Sequence, residues 1–360
     1  MSTSTSTSAS TEATPPASTP PGKKQNSGAR VAMLLLQGRT LIVLVALVAV
    51  FSLISSDYLT QSNLLLMTKH VSITALLAIG VTFVILTAGI DLSVGSIAGL
   101  AGMISGGLLY EGLKLPGGHT VWFSTFMVVL IGILVGAAVG AINGVLITKL
   151  NVAPFIATLG ILYVARGLAD LRSGGGTFPN LAGTPSRHNT GFDVLGVSSW
   201  FGVPVSIWIM IAVAALAIIV TTRTPFGRRV YAVGGNERAA ELSGIRTSRI
   251  KLAAYIISGA CAALAGLILT SELGAAYPDT ATTYELNAIA AAVLGGTSLF
   301  GGKGTIIGTV VGAFVIGYLS DGLVLVGVSA FWQLVVKGTV IILAVVLEQT
   351  QERVKARMAI

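Results

Sequence analysis

Apolar residues gather into ten long runs, near residues 40–56, 71–89, 94–110, 121–148, 152–169, 203–222, 252–273, 286–300, 304–319 and 330–347. A helix needs roughly 20 residues to cross the hydrocarbon of a bilayer, with about 17 as the lower end. Most of the runs reach that length, while 286–300 and 304–319 are marginal. The pattern predicts an all-α, polytopic membrane protein of about ten transmembrane helices, in which the short pair either crosses or re-enters from one side. With ten or eight crossings, the two ends of the chain lie on the same side.

The polar interruptions give the orientation. The longest strongly basic one, from Thr222 to Lys251, carries Arg223, Arg228, Arg229, Arg238, Arg246, Arg249 and Lys251 against only Glu237 and Glu241. Beside a membrane, such an excess belongs in the cytoplasm. The opposite side then keeps only Lys69, Lys114, Arg166, Arg172 and Arg187. Within the basic stretch, Gly234 and Gly235 precede Asn236, a good N-cap, and Glu237 puts negative charge on the first turn. Gly244 suits the left-handed residue that closes a helix. A helix of about two turns is expected, with Ala239, Leu242 and Ile245 as a small apolar strip suited to docking a partner. The competing reading is a loop helix lying on the membrane surface.

Composition agrees with the pattern: 53% of residues are hydrophobic and 10% charged, against roughly 25% charged in soluble domains. The net charge of +8 collects between apolar runs and at the two ends, which reads as topology rather than as a nucleic-acid surface. A lone cysteine, Cys261, excludes an internal disulfide and a cysteine metal site. His70, His119 and His188 are far apart at loop-like positions and read as surface residues, so no metal centre is expected. Residues 1–30, rich in Ser, Thr, Pro, Ala and Gly with Lys23, Lys24 and Arg30, cannot bury enough apolar area to order themselves. The expected organisation is a disordered cytoplasmic tail over 1–39, a membrane domain over 40–347 with its basic loop at 223–251, and a cytoplasmic tail over 348–360. A cleaved signal peptide fits poorly, because its leader would be far too long. The Gly-, Pro- and Ser-rich segment from Asp170 to Pro204 is the largest external loop, either a receiving surface or a plain connection.

Glycine spacing adds packing information. Gly132, Gly136, Gly140 and Gly144 share one helix face and admit a close neighbour; Gly304, Gly308 and Gly312 repeat the device, as do Gly95 with Gly99 and Gly102 with Gly106. Two polar breaks matter more. In Gly89-Ile90-Asp91-Leu92-Ser93-Val94-Gly95 a carboxylate interrupts apolar runs, at a cost of at least ~2.5 kcal/mol if it faced lipid. Asp91 must therefore face a cavity, pair with a cation, or N-cap the third helix, the reading preferred here. The second break runs from Leu294 to Thr305, and broken helices of this kind often line a substrate passage. Asp91, Ser93, Asn143, Asn287, Thr297 and Ser298 are the candidates for that passage or for the helix breaks, with helix-to-helix hydrogen bonding as the plainer role. The Gly301-Gly302-Lys303-Gly304 run is not a phosphate loop, since Thr297 and Gly304 stand where that motif needs glycine and Ser or Thr. Lys337 is expected to snorkel outward rather than to pair with Asp321.

Three segments carry a family resemblance: Ile85 to Ser96; Ala232-Val233-Gly234-Gly235-Asn236-Glu237 with Leu242-Ser243-Gly244-Ile245; and Tyr284-Glu285-Leu286 with Ala288 to Ala291 and Val293 to Ser298. Over about residues 40–347 the chain resembles the membrane permease of a bacterial ATP-binding-cassette (ABC) sugar importer of the ribose type. That resemblance implies a type II importer-like bundle, multi-pass in the inner membrane, working with a second permease copy or paralogue. It further implies a cytoplasmic ATPase that binds the ATP, so that the chain needs no cofactor of its own. A periplasmic or lipid-anchored binding protein would deliver a small neutral sugar, a ribose-like pentose as the first guess. The ATPase-coupling role would fall on Gly234, Gly235, Asn236, Glu237, Ala240, Leu242, Gly244 and Ile245. The rival is an ion-coupled carrier acting alone, for which only Asp91 and Lys337 could serve as coupling groups. No His, Cys and carboxylate constellation supports an enzyme.

Overall fold

The computed structural model describes residues 39–358, so the expected tail over 1–39 lies outside the described residues except for Arg39, which begins the first helix. Twelve α-helices are found among them. In chain order they are α1 (Arg39–Ile54), α2 (Gln61–Leu86), α3 (Val94–Tyr110), α4 (Thr125–Thr148), α5 (Pro154–Ser173), α6 (Val205–Arg223), α7 (Pro225–Gly235), α8 (Glu237–Leu242), α9 (Thr247–Leu273), α10 (Tyr284–Leu294), α11 (Ile306–Leu325) and α12 (Ala330–Met358). Every apolar run holds a helix, although that of 286–300 is helical only to Leu294. Six helices, α2, α4, α5, α6, α9 and α11, are long and apolar enough to cross a membrane, and α1, α3, α10 and the start of α12 are shorter apolar helices. The last helix continues past the final apolar run into the polar C-terminal stretch.

The bundle is built around α2. From Val71 to Leu86 every residue of this helix is buried, because its sequence is apolar or small on all sides and a helix without a polar face must be surrounded. It packs against α6, α9, α10 and α11, whose buried Ile207, Met210, Ala262, Ala265, Ala291 and Ile316 share its core. The glycine ladder of α4 does what its spacing suggests: Gly136 lies against Gly259 and Ala263 of α9, and Gly140 against the Tyr255 backbone. Gly308 and Gly312 of α11 meet the backbone of α10 at Gly295 and Ala291 in the same way. In lipid, where burial of apolar area gives no preference for one helix over a fatty acyl chain, such backbone proximity is the main source of packing energy.

Two short hairpins, Leu113–Lys114 with Thr120–Val121 (β1, β2) and Ser199–Trp200 with Val203–Pro204 (β3, β4), lie at one end of the bundle. The 174–204 segment is pinned there rather than loose. Fully buried Asn189 donates to Leu109 O at 3.0 Å and accepts from Thr184 N at 2.8 Å. Ser271 donates to Phe192 O at 2.6 Å and accepts from Gly196 N at 2.9 Å.

One placement departs from the sequence reading, and one segment that the sequence left unassigned takes an unexpected path. His70 is in α2 and not in a loop, with Nδ1 3.2 Å from Asp321 Oδ1 of α11. The unassigned segment is the stretch before α10. Instead of forming an exposed loop, residues 275–283 fold in a chain of tight turns alongside α3: Ala276 lies against Gly106, the Pro278 and Thr280 carbonyls against Gly99, and Ala281 and Glu285 against Gly95. Gly106 to Gly95 is ~16 Å of helix, so α10 is short because its first half is replaced by this non-helical segment. The small residues on that face of α3 are what give it room.

Candidate functional site: a capped elbow on two glycine breaks

After α6 the chain turns at Thr224, whose Oγ1 accepts from Gly227 N at 3.3 Å and starts α7 at Pro225. The inner face of α7, with Val230 and Val233 buried, packs on Leu86 and Ile250. Phe226 stacks on Phe83 at 6.3 Å between centroids. A second, shorter helix follows at once. Asn236 Oδ1 accepts from Ala239 N at 2.9 Å, as an N-cap should. At the other end Gly244 takes φ +81°. Its N–H reaches Glu241 O at 2.9 Å, and Ile245 N reaches Ala240 O at 3.0 Å, the paired bonds of a Schellman closure. Lys251 Nζ reaches Glu237 at 2.6 Å and ties α8 back to α9.

The apolar strip expected on α8 divides in two. Ala240 is 4% exposed and Ile245 packs inward beside it, so both anchor the elbow to its own chain. Ala239 is exposed, and Leu242 stands out at 78% exposure. A leucine held in water on a doubly capped helix costs apolar hydration that a partner's groove would recover, about 1.5–3 kcal/mol for a fully buried side chain.

The end of α7 rests on both breaks at once. Gly302 N donates to Leu86 O at 3.0 Å, and the Gly234 backbone packs directly against both of those atoms, leaving no room for a Cβ. Tyr231 Oη donates to Gly304 O at 2.9 Å. Gly301 and Gly302 are left-handed, φ +84° and +70°, and Ala88 opposite them is at +60°. Three segments far apart in sequence, 86–89, 231–235 and 301–304, thus form one backbone junction.

Above it lies a buried polar cluster. Asp91, Ser93, Asn143 and Ser258 are all 0% exposed. Asp91 Oδ1 accepts from Ser93 N at 3.0 Å and Ser93 Oγ at 2.6 Å, and Oδ2 accepts from Ser258 Oγ of α9 at 2.7 Å. Asn143 Nδ2 of α4 donates to Ser93 Oγ at 2.8 Å. The N-cap expected of Asp91 is corrected here: the cap position of α3 is Ser93, which makes no side-chain cap bond. The carboxylate sits two residues earlier and is used to close a local turn and to bridge to α9. Ile90 O beside it accepts from Thr158 Oγ1 and Tyr255 Oη, both at 3.3 Å. Of the other candidates, Thr297 and Ser298 are buried in the second break, with Thr297 Oγ1 3.4 Å from Thr309 Oγ1 and Ser298 Oγ accepting from Phe300 N at 3.4 Å. Asn287, half-buried in the first turn of α10, stands apart from both groups. Among the described residues no group of three or more His, Cys, Asp or Glu side chains gathers as a metal site.

A family model described as the permease component of the branched-chain amino acid transport system matches residues 63–345. The ribose import permease protein of Haemophilus influenzae is 41% identical over 323 residues, 90% of this chain and 96% of the relative. That of Bacillus subtilis is 45% identical over 84% of this chain and 89% of the relative, and the D-allose transport system permease protein of Escherichia coli 40% over 86% and 90%. No solved structure matches the chain. The chain belongs to this permease family. It is therefore a multi-pass transport subunit and not an enzyme.

The permease also sets charged side chains within reach of one another across helices, including Lys337 and Asp321, the pair that the sequence reading weighed against snorkelling. Lys69 of α2 pairs with Glu272 of α9 at 2.9 Å, and Asp321 of α11, besides binding His70, attracts Lys337 of α12. Arg166, well inside α5, donates to the Pro278 and Thr280 carbonyls. An arginine within an apolar run was the available signal; its partners, more than a hundred residues away, were not readable.

Proposed function

We propose that this permease is the membrane subunit of an ABC importer for a ribose-like monosaccharide, in a bacterial inner membrane. The α7–α8 elbow faces the cytoplasm with both termini, and the apolar helices make ten crossings over residues 40–347. The subunit pairs with a second copy, receives the sugar from a binding protein outside, and grips an ATPase beneath through α8. Support for the substrate class comes from relatives that import ribose and allose. The observation that carries the mechanism is the junction: an element shaped for docking sits directly on the two helix breaks. When the ATPases close on ATP, the elbows move, and each shifts Leu86 and Gly302 together, so both breaks change with one stroke. Asp91, Ser93 and Asn143 hold the first break rigid enough to transmit it.

The test is reconstitution with the ATPase and the binding protein. D-ribose uptake should require ATP, and no ion gradient should replace it. Gly244→Trp is expected to lower co-purification with the ATPase at least 10-fold, because a bulky residue at φ +81° opens the Schellman closure; its own fold should be kept, since Gly244 has open space around it. Unchanged uptake in this variant would end the coupling assignment. In a Cys261→Ala background, Ser243→Cys should react with a membrane-impermeant thiol reagent in inside-out vesicles and not in intact cells.

A further inference from the structure

The turns between α9 and α10 present a polar face that the coupling site does not use. Along 277–280, exposure alternates: Tyr277 and Asp279 are exposed, and Pro278 and Thr280 are buried against α3. Thr282 and Thr283 continue the exposed side. The buried side is held by Arg166 of α5, which donates to the Pro278 and Thr280 carbonyls and lies among the charges of Asp279, Glu285 and Asp170. Non-helical backbone at membrane depth survives only where protein or water satisfies its polar groups, and the Arg166 guanidinium does so here. Its geometry puts Asp279 level with Gly99, about 16 Å along α3 from its outer end at Tyr110.

An exposed carboxylate at that depth cannot face lipid without a cost of at least ~2.5 kcal/mol. Among the described residues the Asp279 carboxylate accepts no hydrogen bond that would offset it, the Thr282 N–H and hydroxyl both going to its backbone carbonyl at 3.2 and 2.7 Å, and the charge that attracts it is that of Arg166. The exposed face therefore meets water. We propose that Tyr277, Asp279 and Thr282 form the surface on which a neutral, polyhydroxylated sugar is held in transit midway through the membrane; this rests on the sugar-importer reading above. The chemistry fits that class. A carboxylate accepts from two vicinal hydroxyls at once, in charge-assisted bonds. The tyrosine offers an apolar ring to the sugar's C–H face and a hydroxyl to its rim. Three such groups on one open wall give weak binding, which a passage needs for release. Arg166 is the positioning residue, since it touches backbone and not solute.

Two measurements on the full complex in proteoliposomes decide it. With D-[14C]ribose as the probe, Asp279→Ala should raise the half-saturating sugar concentration or lower uptake at least 10-fold, while ATP hydrolysis stimulated by the binding protein stays within twofold. In a Cys261→Ala background, Asp279→Cys should react with a charged methanethiosulfonate at least 10-fold faster than Leu134→Cys, which is exposed on α4, and ribose delivered by the binding protein should slow it. Wild-type complex without ATP-dependent ribose uptake overturns the importer reading for this sugar. Uptake that is normal in wild type and in Asp279→Ala alike overturns the wall, as does labelling no faster than at Leu134→Cys.

Discussion

Gly234→Ala is expected to cut sugar uptake at least 10-fold, while Gly235→Ala, one residue on, keeps it within twofold. The two differ only in what surrounds them. A methyl on Gly234 has to occupy the space of the Leu86 carbonyl and the Gly302 N–H, whereas one on Gly235 meets nothing within 4 Å. Both obstacles are backbone, so no rotamer change relieves the clash, and overpacking of this kind costs about 1–3 kcal/mol. The strain falls on the hydrogen bond between the two breaks, and so on the arrangement that the elbow must drive. Docking should survive, because Ala239 and Leu242 lie on the far side of the elbow. The expected result is thus a complex that assembles, hydrolyses ATP and fails to move sugar. Equal uptake by the two variants would show that the junction transmits nothing.

Much of this was legible because membrane sequences carry one dominant signal. Each of the ten apolar runs holds a helix, though the bounds differ for α2 and α10, and the α8 caps were readable since an N-cap asparagine and a left-handed glycine act within a few residues. The α4 glycines pointed to a close neighbour without saying that it was α9. What stayed hidden depends on partners distant in the chain. The α7 helix, read as loop, forms because Val230 and Val233 find Leu86 and Ile250. The turns of 275–283 fall between two apolar runs, and nothing in their sequence shows that they pack inside the bundle. Only Arg166, from α5, and the small face of α3 bring them inside. His70 and Lys69 were placed by hydropathy at a span's edge, yet α2 begins ten residues before its apolar run, and Asp321 and Glu272 supply the charges that allow it.

Asp91 distinguishes a structural carboxylate from a charge that the transport cycle needs. Removing it in Asp91→Leu leaves Ser93 N–H and the Ser258 hydroxyl without their acceptor in a site that is 0% exposed. Each stranded buried group costs about 1–3 kcal/mol, so the variant is expected to lose several kcal/mol and to melt well below wild type in detergent. In Asp91→Asn, the amide oxygen can still accept from Ser93 N and Oγ, and the Ser258 hydroxyl turns to accept from the new NH2 instead of donating. Stability should then fall by no more than about 1 kcal/mol, the scale of one exchanged hydrogen bond, and uptake should persist. Thermal melting of the purified permease together with uptake separates the alternatives. An Asn variant that is as stable as wild type but transports nothing would mean that the negative charge, and not the hydrogen-bond pattern around the first break, is what the cycle uses.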